Sequence, residues 1–143
     1  MLIQPCEIIV KTLIPSVRAA ITRELIERHG MKQVEVAKLL GVTQAAVSQY
    51  MRGARGRFFN FGADDQILSI IRSIADGLAS GSLGKLEASV LTCEVCYQVR
   101  RKGLYRSPRV KLKGKYGEAL ELVCREYDLR RDCSEIERML EEH

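Results

Sequence analysis

The segment from Met31 to Arg52, MKQVEVAKLLGVTQAAVSQYMR, constrains the fold of this chain more than any other. Val34, Val36, Ala37, Leu39 and Leu40 give a first short helix its apolar side. Gly41-Val42 reads as a turn, because glycine adopts positive φ without a steric cost. Thr43 is a favourable N-cap for a second helix. That helix runs through Gln44, Ala45, Ala46, Val47, Ser48, Gln49 and Tyr50 to about Arg52, and Gly53 ends it.

The flanking sequence reads as helical too. Ile8, Val10, Leu13 and Ile14 precede Pro15, which breaks a helix interior but suits a first helical turn. The expectation is a helix or extended arm before Pro15 and a firm helix from about Pro15 to His29. Val17, Ala20, Ile21, Leu25 and Ile26 line one face of it, and Gly30 is a natural stop. Arg55–Gly62 (RGRFFNFG) is read as a loop whose Phe58, Phe59 and Phe61 pack onto the core of the helix pair.

Asp64–Leu78 carries Ile67, Leu68, Ile71, Ile74, Ala75 and Leu78 at helical spacing. Its apolar face can close the core or serve a dimer, and periodicity does not separate the two. Ala79–Gly84 (ASGSLG) reads as a hinge. A further helix is expected over Lys85–Arg101, then a basic connector over Gly103–Gly117, then helices over Lys115–Tyr127 and Ser134–Glu142. With no strand pattern and no repeat, the chain reads as all-α. One domain is expected over residues 1–78 and a helical, cysteine-containing region over 85–143.

Length and composition are those of a globular chain: 143 residues, 46% hydrophobic and 29% charged. No apolar run is long enough to span a bilayer, and the opening residues lack signal-peptide architecture. A cytoplasmic protein with no membrane partner is therefore expected. The net charge is +5, from 23 Lys+Arg against 18 Asp+Glu. The excess is patchy. Neither Arg52–Arg57 nor Arg100–Lys115 contains an acid, whereas Glu135–Glu142 is acidic. Patches of this kind suit a polyanion.

The second helix of the Met31–Arg52 segment has the chemistry of a base reader. Thr43, Gln44, Ala45, Ser48, Gln49 and Arg52 offer short polar or small side chains, while Ala46, Val47 and Tyr50 or Met51 anchor the other face. Glutamine can bond adenine with two hydrogen bonds, and alanine or threonine methyls can touch thymine methyls. Lys32, Gln33, Arg52, Arg55 and Arg57 are placed to hold phosphates, which positions a duplex without reading it.

These residues resemble the helix-turn-helix of the xenobiotic-response-element/Cro-repressor type. Gln33, Ala37, Gly41, Val42, Thr43, Val47 and Ser48 meet its pattern Q-x-x-x-A-x-x-x-G-[VI]-[ST]-x-x-x-[VI]-S. With the Pro5-Cys6-Glu7 opening, the Pro15-Ser16-Val17-Arg18 helix start and a late Cys-x-x-Cys, the chain is similar to a group of predicted archaeal transcriptional regulators. The resemblance implies a Cro/repressor-like helix-turn-helix bundle followed by a small helical C-terminal half. It also implies a homodimer on double-stranded DNA. Base contacts carry over to Gln44, Ala45, Ser48 and Gln49, and a phosphate contact to Gln33.

Five cysteines, Cys6, Cys93, Cys96, Cys124 and Cys133, point to metal or redox chemistry before structural disulfides in an intracellular chain. Cys93-Glu94-Val95-Cys96 places two thiolates one helical turn apart. Cys6 and Cys124 are candidate partners, although Cys124 among Leu120, Leu122 and Val123 is equally a core thiol. Three readings stay open: an iron–sulfur cluster that senses redox state, oxygen or iron; a structural zinc; or a dithiol switch or inert thiols.

No P-loop, G-x-S-x-G, H-E-x-x-H or glycine-rich dinucleotide turn is present, and an enzyme is not expected. His29 reads as a helix C-capper. The basic Arg100–Arg109 stretch, with Tyr105, is balanced between phosphate contacts and a solvated linker. The alternative function is a transcription adaptor resembling multiprotein bridging factors, with a structural zinc site. In those the cysteine module precedes the helix-turn-helix, and here the order is reversed.

Overall fold

The computed structural model describes residues 5–104 together with 114 and 118, apart from the side chains of Pro5, Cys6 and Ile9. Cys124, Cys133, Tyr105 and the helices expected beyond Lys115 lie outside the described residues. Among residues 5–104 five α-helices run in order: α1 Pro5–Glu27, α2 Gln33–Leu40, α3 Gln44–Met51, α4 Asp65–Ser80 and α5 Lys85–Arg101. A 3-10 turn at Phe61–Ala63 precedes α4. The described chain is all-α and contains no strand.

α1 departs from the sequence expectation. It runs unbroken through Pro15 instead of starting there. An interior proline costs about 3 kcal/mol through its missing N–H and its clash with the preceding turn. Burial on both sides offsets that cost. Ile8 and Leu13 before the proline and Val17, Ile21 and Leu25 after it are all buried, each contributing about 1.5–3 kcal/mol. Two buried hydroxyls satisfy themselves within the helix: Thr12 Oγ1 donates to the Ile8 carbonyl (2.7 Å) and Ser16 Oγ to the Thr12 carbonyl (2.8 Å). The Ser16 hydroxyl also accepts from the Phe59 N–H at 3.3 Å. Local propensity argued for a break at Pro15, and tertiary packing overrides it.

The helix pair follows its sequence signals except at Val34, expected on the apolar side of α2 but 46% exposed. Gly41 adopts φ +67°, and the Val42 N–H bonds the Ala37 carbonyl at 3.0 Å. The Thr43 hydroxyl caps α3 by accepting from the Ala46 N–H at 3.0 Å. Val36 and Ala37 of α2, with Ala46, Val47 and Tyr50 of α3, are buried.

α4 is the central brace. Ile67, Ile71, Ile74, Ala75 and Leu78 are all buried, and they join Leu13, Val17, Ile21, Leu25, Val36 and Val47 in one core. Its apolar face thus closes the core, and no apolar stripe of α4 is left for a second molecule among the described residues. Ala88, Val95 and Val99 of α5 belong to the same core. The described part of the C-terminal region therefore packs on the helix-turn-helix bundle. Phe61 is buried and stacks on the half-buried Phe59 at 5.7 Å, as the loop reading expects.

Charged groups tie the helices at the surface. His29, just past α1, bonds Asp76 of α4 at 2.7 Å, a tie between helices where the sequence reading expected a C-cap. Asp64 caps α4 by accepting from the Ile67 N–H at 3.0 Å and receives Lys102, just past α5, at 2.7 and 2.9 Å. Lys102 first, and the capped Ile67 N–H second, hold its carboxyl below the usual carboxylate range.

Two predictions follow from this packing. Gly56 has φ +73°, and a Cβ there would sit 2.4 Å from the Pro15 carbonyl oxygen and 2.7 Å from the Ala19 Cβ. Gly41 has a similar φ, but a Cβ there would meet nothing within 4 Å. Gly41→Ala should cost about 1 kcal/mol of unfolding free energy, from backbone strain alone. Gly56→Ala should cost about 2–4 kcal/mol, as overpacking adds to strain. Equal losses in urea titrations would remove the close approach as the reason for Gly56. For Asp64, a depressed folded pKa means its contribution is present at neutral pH and lost as pH falls through that value. Asp64→Asn keeps the cap and removes the charge. It should cost about 0.5–1 kcal/mol at pH 7, and the gap to wild type should close below about pH 4; a pH-independent gap would assign the loss to packing.

Candidate DNA-reading site

The site is built outward from a buried contact. Ala46 and Tyr50 of α3 pack with Ala19 of α1 in a small cluster, against which Val42 also lies. Two alanines at this contact let the backbones come close. Arg23 of α1 adds a donor to the Tyr50 carbonyl at 3.3 Å. α3 is therefore fixed in rotation, and its opposite face is fixed with it.

That face carries the residues the sequence selects. Thr43, Gln44, Ala45 and Arg52 are exposed, and Ser48 and Gln49 are partly exposed. The hydroxyl of Thr43 is engaged as the α3 cap, so its methyl and its own O–H remain for a partner. Gln33 is the first residue of α2 and half-exposed, next to the exposed Lys32. The Lys32 N–H is satisfied by Glu35 at 3.2 Å, which turns that carboxylate towards the helix start.

The arginines gather at the C-terminal end of α3. Arg52 Nε donates to the Ser48 carbonyl at 3.4 Å. The Arg55 guanidinium lies 5.7 Å from the centroid of the Tyr50 ring, within cation–π range. The aliphatic part of Arg57 lies beside Gly53. All three arginines are exposed and in no ion pair among the described residues. The face thus combines short polar groups at the start of α3 with cations at its end. Bases can meet the first set and phosphates the second.

Sequence reasoning missed Arg23. Its partner is 27 positions away, and only the fold brings the two together.

Of the candidate metal ligands, Cys93 and Cys96 are the two whose side chains are described. Cys93 is exposed and Cys96 partly buried against the core, one turn apart on α5. Three residues apart on one helix, they occupy neighbouring positions of the same face, with Cys96 nearer the core. Among the described residues, no group of three His, Cys, Asp or Glu side chains could hold a metal ion. Cys124 lies outside them, and so does the side chain of Cys6. A tetrahedral zinc or a cluster takes four protein ligands, so Cys93 and Cys96 would hold either group only together with further donors.

The fold and this face define a DNA-binding helix-turn-helix domain. Residues 23–57 match the family model described as "Helix-turn-helix", which spans the end of α1, both motif helices and the arginine-bearing loop. No curated protein and no solved structure matches the chain. The domain is of the XRE type and is that of a DNA-binding transcription regulator. No helix among the described residues is long and apolar enough to cross a membrane.

Proposed function

We propose that the chain is a sequence-specific transcription regulator that reads operator bases with Gln44, Ala45, Ser48 and Gln49. In this reading Thr43 assists at the helix start, and Gln33, Arg52, Arg55 and Arg57 hold the backbone. The observation that carries it is the two-sided character of α3. Ala46, Val47 and Tyr50 are buried, and every base-reading candidate lies on the other side with at least part of its surface exposed. Any surface helix is polar on its outer face; what favours a reader is that Arg52, Arg55 and Arg57 gather at its end in no ion pair among the described residues.

A selection of duplexes from a random pool by the full chain should return a defined site. Gln44→Ala should then weaken binding to that site by about 1–3 kcal/mol and relax the preference at one base pair. Arg52→Gln should weaken all duplexes alike. Recovery of no preferred sequence would instead favour the adaptor reading.

We also propose that the protein works as a homodimer, and that α5 supplies the contact. Leu86, Val90, Cys93 and Tyr97 follow one another at intervals of four, three and four residues, the spacing of a coiled-coil seam. Leu86 is 76% exposed, Val90 62% and Tyr97 37%, and Cys93 is exposed as well. A second copy paired along this seam would present two α3 helices to paired half-sites. Sedimentation of the full chain should give a dimer that Val90→Glu turns into a monomer with unchanged helicity. A wild-type monomer would show that residues of the same chain, or another partner, cover the stripe.

A further inference from the structure

Beside the recognition helix, an open cleft of about 280 Å³ lies between α1 and the loop that follows α3. Lys11, Thr12 and Pro15 line one wall, and Ala54, Arg55, Gly56, Arg57 and Phe58 the other. Three of these residues are cations and none is an acid. Lys11, Arg55 and Arg57 are exposed and in no ion pair among the described residues. We infer that this cleft is a phosphate-binding site for the DNA backbone, and that Lys11 of α1 completes it.

Three features carry the inference. First, the cleft exists because of Gly56. Its backbone lies so close to Pro15 and Ala19 that no Cβ fits, and this draws Arg55 and Arg57 against α1 near Lys11. Second, the neighbouring cleft is a natural contrast. It shares Gly56 and Arg57, but Arg23, Glu24 and Glu27 also line it. Its mixed signs give an anion no net attraction, whereas the Lys11 cleft is of one sign. Third, the Arg55 guanidinium lies against the ring of Tyr50 in α3, so the cationic cleft adjoins the end of the recognition helix. A phosphate with some of its bound water fits a space of this size, since water occupies about 30 Å³ per molecule in the liquid. Contacts of this kind carry no base information, but they fix register and add salt-dependent affinity.

This inference rests on the DNA-reading proposal, and its test separates the two. Binding of the full chain to its selected duplex and to a scrambled one is measured across a salt series. Lys11→Gln should weaken both by the same factor, roughly three- to tenfold near physiological salt, and flatten log K against log salt by about one. Lys85→Gln, an exposed lysine at the start of α5 that does not line the cleft, should leave affinity and slope unchanged. Thermal melts check that neither variant alters the fold. An unchanged slope in Lys11→Gln, with selective binding intact, would overturn the cleft and leave the reader standing. A wild type that binds no duplex would overturn both. A further arm adds inorganic phosphate at fixed ionic strength. It should displace DNA more readily from the wild type than from Lys11→Gln; equal displacement of both would overturn the cleft as the phosphate site.

Discussion

The seat of α3 on α1 is the contact on which the rest of the molecule depends. Ala19, Ala46 and Tyr50 form it, Arg23 ties it through the Tyr50 carbonyl, and Gly56 closes the chain against Pro15 and Ala19 just beyond. A recognition helix of only eight residues has little stability of its own, because helix nucleation is costly. Its orientation comes from what it is packed on. Fixing one face of α3 in the core determines which side chains face outward.

α1 can serve as that seat because it is long and continuous. Its continuity through Pro15 is a tertiary effect: the buried Ile8, Leu13, Val17, Ile21 and Leu25 hold both halves of the helix to α4 and its neighbours. α4 and α5 back the arrangement from behind. The same long helix brings Lys11 to the far side of the arginine loop, so one element both positions the reader and extends its cationic edge.

The helix-turn-helix was legible in the sequence because its determinants are local. Gly41, Thr43 and the apolar positions 36, 37, 46 and 47 each act within a turn or two of the backbone. The exposed face of α3 followed from the same periodicity. What was not legible depends on distance along the chain. Pro15 looked like a helix start because the burial that outweighs it comes from other helices. Arg23 and Lys11 carry no local mark, since their partners are tens of residues away. Asp64–Leu78 was ambiguous between core and interface, because an apolar stripe does not say what covers it. The structure covers it with α1 and α5 and leaves the exposed stripe on α5. The cysteine pattern was legible as a motif, and its further candidate ligands, Cys124 and the side chain of Cys6, lie outside the described residues.

The most direct measurement is an amide NMR titration of the full chain with its selected duplex. A seated α3 that reads bases requires the largest shifts at Gln44, Ala45, Ser48 and Gln49. Smaller ones are expected around Gln33, Arg52–Arg57 and Lys11, with the buried positions of α4 unmoved. Shifts confined to α5, with the exposed face of α3 unchanged, would contradict it.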